Sequence, residues 1–239
     1  MIEAHLMKLR KRDDISPDEE QAIRGAVSEV REVRADQNII NAGVELSTST
    51  LLLEGMMCRY KDLQDGQRQI TELHVAGDFV DLHSFTLKRL DHNVMALTPC
   101  RIAVVPHERL QYITERFPHL TRVYWFSSNL DAAIHREWEL SLGRRDAMSK
   151  VAHLFCELFV RLEIVGLTEG NSYAFPLTQT DIAECKALTP VHVNRTLQEL
   201  RKRELIELAQ RRMTILDRPG LEALAEFSPN YLYLEKKAR

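Results

Sequence analysis

Two capped helices separated by a three-residue break, within LTQTDIAECKALTPVHVNRTLQELRKRELI at 177–206, constrain this chain more than any other feature. Thr178 followed three residues later by Asp181 has capping-box spacing, with the shorter Asp standing for Glu, and opens a helix through Ile182 and Ala183. A break follows at Lys186-Ala187-Leu188. Thr189 then supplies an N-cap and Pro190 the first helical position, where a missing N–H costs nothing. At 100° per residue Val193, Leu197 and Leu200 share one stripe, the side to be buried. Val191, Arg195, Gln198 and Lys202 gather on the opposite side, with His192 beside them. Downstream, LIELAQRRMTILD reads as two short strands turning around Gln210-Arg211-Arg212, a hairpin wing.

Length, caps, faces and wing together predict a winged helix-turn-helix. A helix with an apolar back and a front of Arg, Gln and Lys fits the DNA major groove. There an Arg bonds guanine O6 and N7 together, worth about 1–3 kcal/mol of discrimination. Arg211 and Arg212 on the wing are expected to meet phosphates. Between Lys186 and Arg218 eight basic residues face four acids, a local +4 on a chain of formal net charge -3. That patch suits a DNA-facing surface, although charge alone equally describes a solvated helix face.

Upstream the texture changes twice. Ser16 as N-cap and Pro17 after it predict a short helix within 15–27. From about 29 to 106, runs such as TLLLEG, MCRYKDL, QRQITELHV and CRIAVVP alternate with turn signals. Asp65-Gly66 between two alternating runs is the sharpest of these. The pattern predicts an antiparallel β-roll or barrel of cupin-like form. Pro118 then opens a long helix on which Leu120, Val123, Ser127, Leu130 and Ile134 alternate three and four apart, a coiled-coil seam expected to pair two copies. The same stripe also describes plain core. Gly143 is expected to end this helix and Asp146 to cap the next, making 143–146 a hinge. The whole is α+β, divided into a roll at 1–117, a dimerisation helix and hinge at 118–145, and a DNA-binding unit at 146–239.

Composition excludes several classes. At 44% hydrophobic and 28% charged, 239 residues suit a soluble globular chain. No apolar run approaches the roughly 18 residues that span a bilayer, and MIEAHLMKLRKRDD carries no secretory h-region, so a cytoplasmic location is expected. Cys58, Cys100, Cys156 and Cys185 form no CxxC pair, which argues against disulfides and Cys-rich zinc. No GxSxG, P-loop, HExxH or GxGxxG occurs, so no enzyme is expected.

With these segments the sequence resembles the Crp/Fnr superfamily of bacterial regulators from about residue 15 to 225, most sharply in GDFVDLHSF at 77–85, Asp146, and TDIAECKALTPVHVNRTLQEL. The resemblance implies a homodimer on a palindromic operator, with RNA polymerase a further partner and no membrane. It carries phosphate contacts to Thr178, Gln179 and Thr189 and base reading to Arg195. The usual turn glycine is Ala187, preceded by Lys186 rather than an apolar residue. Pro190 and Val191 replace the cyclic-AMP-type Arg-Glu pair, so a different half-site is implied. In the sensor, Asp81, Leu82 and His83 stand where a Gly-Glu-Leu segment holds the cyclic nucleotide. Leu90 and Asp91 stand where an Arg-Ser pair does. Without that Arg, and with two acids, cyclic AMP is not expected. The absence of cysteine before Cys58 argues against an iron–sulfur cluster. His83 and His92 leave haem, a metal or another small molecule as an alternative signal, with no metal site assigned.

Overall fold

The computed structural model describes residues 1–239. The roll is two antiparallel sheets, ordered β1-β7-β3 and β2-β6-β4-β5. β1 is Glu29–Val33, β2 Asn38–Ile40, β3 Thr48–Glu54, β4 Met56–Asp62, β5 Arg68–Val75, β6 Asn93–Ala96 and β7 Cys100–Pro106. Their inward residues, among them Leu52, Met57, Val94 and Ile102, make a core of their own with Val80 from the loop after β5. Asp65-Gly66 turns β4 into β5, with Gly66 at φ 85°, a conformation glycine adopts without Cβ strain.

Helix α2, Pro17–Ala26, starts as its sequence dictates: Ser16 and Glu19 form a capping box. Sequence periodicity gives no sign of α1, Glu3–Arg10, which is too short and too polar for a clear stripe. Its Leu6 and Leu9 and the preceding Ile2 nonetheless bury against the first sheet and α5. A Cβ at Gly77 would sit 2.7 Å from the Ala4 carbonyl, so the glycine admits this helix onto the roll.

After α3, Ser84–Leu87, and α4, His107–Arg116, the long helix α5 runs Pro118–Arg144. Here two expectations are corrected. Gly143 does not stop the helix, which continues through Arg144 and ends where Arg145 turns extended. Leu120, Val123 and Ile134 are buried in the chain's own core, at 0%, 3% and 4% exposure, so they offer no surface to a second copy. Ser127 and Leu130 are half-buried beside them, Ser127 Oγ donating to the Val123 carbonyl. The apolar stripe faces inward because sheet and head both lie against this helix. Its outward positions are Arg122, Trp125, Asn129, Ala132, Arg136 and Leu140.

Asp146 caps α6, Ala147–Glu163, accepting the Ser149 N–H at 2.8 Å. The head follows: β8 Thr168–Glu169, β9 Ser172–Ala174, α7 Gln179–Lys186, α8 Pro190–Lys202, β10 Ile206–Ala209, β11 Arg212–Ile215 and α9 Arg218–Ala225, closed by a 3-10 turn at Pro229–Leu232. One continuous core joins the head to β4, β5 and the far end of α5. Gln69 on β5 fixes the junction, donating from Nε2 to the Glu184 carbonyl of α7 at 2.6 Å.

Candidate nucleic-acid interface and sensor cleft

The reading head is built by its caps. Thr178 Oγ1 accepts the Asp181 N–H at 3.1 Å while Asp181 accepts the Thr178 N–H at 2.6 Å, so both orphan donors are met. Ala187 closes α7 in the left-handed conformation, φ 51°. Thr189 Oγ1 then accepts the His192 N–H at 3.2 Å and starts α8.

Burial divides α8 as the 100° wheel requires. Val193, Leu197 and Leu200 are within 1% of full burial. Val191, His192, Arg195, Gln198 and Lys202 are exposed, as are Thr178, Gln179 and Thr189 near the helix starts. Arg203 is held by Glu199 at 2.9 Å, whereas Arg195 and Lys202 pair with no carboxylate of the chain. Asn194 and Arg201 share the exposed side and were missed, although the same wheel would have found them.

The wing is shifted by one residue from its expected form. Its turn is Gln210-Arg211, both at positive φ, 50° and 57°. That conformation suits a tight hairpin but strains residues other than glycine. Arg212 is already strand, half-buried, and its guanidinium is paired with Glu169 at 2.6 Å. Of the two expected wing contacts, Arg211 is exposed at the tip and Arg212 is engaged on the sheet.

The expected effector residues do not converge. His83, Asp91 and His92 line a cleft of about 430 Å³ with Arg59, Asp131 and His135. Asp81 is fully buried away from it, accepting the Thr50 N–H at 2.5 Å, and Leu90 is core at 2% exposure. Leu82 lines a different cavity. Residues 81–83 form a turn rather than a strand, so successive side chains leave the backbone in different directions. Arg59, which the sequence did not single out, is almost wholly buried. It donates to the Val80 carbonyl at 2.8 Å, to Glu72 at 2.5 Å and to Asp131 at 3.1 Å, so its charge is already answered. Burial, with the Arg59 charge adding to it, pushes His83 down to about 3 and keeps it neutral. His83 and His92 lie with ring centres 5.3 Å apart. All four cysteines are buried and unpaired.

A Crp-like helix-turn-helix domain model matches residues 149–224, and a cyclic nucleotide-binding domain model matches residues 30–117. A probable transcriptional activator of Rhizobium leguminosarum is 33% identical over 196 residues, covering 81% of this chain and 79% of the relative. The chain belongs to the Crp/Fnr family. The nitrogen fixation regulation protein FixK of Bradyrhizobium diazoefficiens is 32% identical over 180 residues, 73% of this chain and 72% of the relative. The solved structure of FixK2 from Bradyrhizobium japonicum shares the fold at TM-score 0.77 and 23% identity, covering 84% of this chain and 99% of that one. This Crp/Fnr protein is therefore a DNA-binding transcription regulator, built as sheet, long helix and helix-turn-helix. No helix is long and apolar enough to cross a membrane.

Proposed function

We propose that this regulator works in the cytoplasm as a homodimer on a palindromic operator, that Arg195 reads a guanine in each half-site, and that it contacts RNA polymerase from there. The observation that carries the reading is the state of Arg195: exposed on the front of α8 and free of any carboxylate, with Val191 beside it. Val191 is suited to a thymine methyl, which rewards apolar contact. Thr178, Gln179, Thr189, Arg211 and Lys202 are phosphate-contact candidates by their exposure. Selection of bound sequences from random duplexes tests it. Arg195→Ala should lose preference at one position of each half-site. Equal weakening on every sequence would make Arg195 a phosphate contact only.

Pairing through the outward side of α5 is supported by Trp125 and Leu140, exposed at 69% and 50%. Covering these two side chains with a second copy would remove their apolar area from water. Cyclic nucleotide is not the proposed signal. The cleft's two cations are both answered, Arg59 by Glu72 and Asp131 and Lys61 by Asp91, so neither is free to offset a phosphate. Calorimetry with cyclic AMP should show no micromolar binding.

A further inference from the structure

A second cavity lies between α1, the 77–82 loop, α5 and the C-terminal residues, and shares only Asp131 with the sensor cleft. It encloses about 60 Å³, room for a few waters or a short organic molecule. Leu9, Phe79, Leu82 and Leu130 form apolar wall. Its three carboxylates each have a cation: Asp78 has Lys8 and Arg161, Asp131 has Arg59, and Asp13 has His119 at 3.1 Å and the cavity-lining Arg239 at 3.8 Å.

Arg12 has no such partner. It is 7% exposed, and its guanidinium donates only to carbonyls, to Leu232 from Nε and Nη2 at 3.3 and 3.0 Å and to Lys8 from Nη1 at 3.2 Å. Carbonyls satisfy N–H groups but supply no ion pair, and the nearby Asp78 charge offsets only part of the cost of burying the cation. Burial accordingly pushes Arg12 down to about 10.

We propose that this cavity binds a short-chain organic monocarboxylate, its carboxylate pairing with Arg12 and its alkyl chain lying against Phe79, Leu82 and Leu130. A guanidinium is shaped for a carboxylate's two oxygens. The apolar wall selects against phosphate, which would surrender hydration and gain nothing there. Bound there, the ligand joins α1, the roll, α5 and, through Arg12 and Leu232, the turn that closes the head.

The test is thermal unfolding and calorimetry of the full chain with sodium propionate, against propionamide and against sodium chloride and phosphate at equal ionic strength. Propionate alone should raise the melting temperature saturably. Arg12→Gln should weaken propionate binding about tenfold or more, and Arg12→Lys should retain part of it. Leu130→Trp, which adds bulk to the cavity wall and leaves the Arg12 residue unchanged, should also abolish binding and serves if Arg12→Gln does not fold. An equal response to propionamide, or undiminished binding in Arg12→Gln or Leu130→Trp, overturns the proposal. A matching response to chloride or phosphate replaces the carboxylate with an inorganic anion and also overturns it. DNA is absent throughout, so the outcome is independent of the operator reading.

Discussion

The ammonium of Lys186 lies 3.7 Å over the ring centre of Trp138. The lysine is fully buried and its Nζ meets no hydrogen-bond acceptor. Trp138 in turn donates from Nε1 to Glu157 at 3.0 Å. The C-terminal end of α7 is thus fastened to the long helix by a buried cation on an aromatic face. A desolvated cation–π contact stabilises by about 2 kcal/mol, whereas stripping an ammonium of water costs several. Desolvation should win, and burial pushes Lys186 down to about 8 despite the opposing charge of Glu157.

Lys186→Met keeps the length and discards the charge. Between pH 8 and the lysine's ordinary 10.5 the unfolded chain holds the extra proton, so wild-type stability rises with pH across that window. The variant should be more stable than wild type at pH 7, by up to about 3 kcal/mol, with the gap closing toward pH 10.5. Urea unfolding at several pH values checks it. A wild type that is the more stable at pH 7 would show that the aromatic contact outweighs desolvation.

One residue on, Ala187 holds φ 51° and ψ 49°. A Cβ in that region costs on the order of 1 kcal/mol, which glycine avoids. Ala187→Gly should gain about 0.5 kcal/mol or slightly more, part of the relief being lost to the freer unfolded chain. Denaturant midpoints read the gain. Operator affinity should stay within about twofold, since Ala187 precedes α8 and adds no side chain to its exposed face.

Three charge insertions on α5 separate its two sides. Leu140→Asp or Trp125→Asp, on the exposed line, should leave a folded chain that runs as a monomer in light scattering and binds operator weakly. Val123→Asp places a carboxylate at 3% exposure and should unfold the chain, costing several kcal/mol. A folded, monomeric Val123→Asp would restore the inward seam as the interface.

The reading head was legible because its determinants are local. Thr178, Thr189 and Pro190 act within one turn of themselves, and the α8 wheel needs only period 3.6. The α5 seam was misread because a three-and-four stripe records that a face is buried, not what buries it. Here α1, the first sheet and the head do so. The effector residues scattered because the map onto the nucleotide pocket assumed one side for consecutive residues, whereas Asp81, Leu82 and His83 point three ways. Arg59 and Arg12 were invisible as charged sites, since what distinguishes each is long-range: Glu72 and Asp131 for one, and the want of any carboxylate for the other.

Asp81 shows what such misassigned residues do. Fully buried, it accepts the Thr50 N–H and, at 3.4 Å, the Ser84 hydroxyl, and it holds the loop to β3. Burial pushes its carboxyl up to about 7, outweighing these donors and the nearby Arg59 charge. From the ordinary 3.8 up to 7 the folded state therefore holds the extra proton, and stability falls as pH rises through that window, by at most about 4 kcal/mol. Asp81→Asn retains the acceptor for Thr50 and cannot ionise. It should match wild type near pH 4 and exceed it near pH 8. Other buried groups titrate in the same range, so the difference between the two proteins across pH is the quantity to measure. An Asn variant that is the less stable near pH 8 would mean that Asp81 is ionised in the fold and stabilised by the Thr50 N–H.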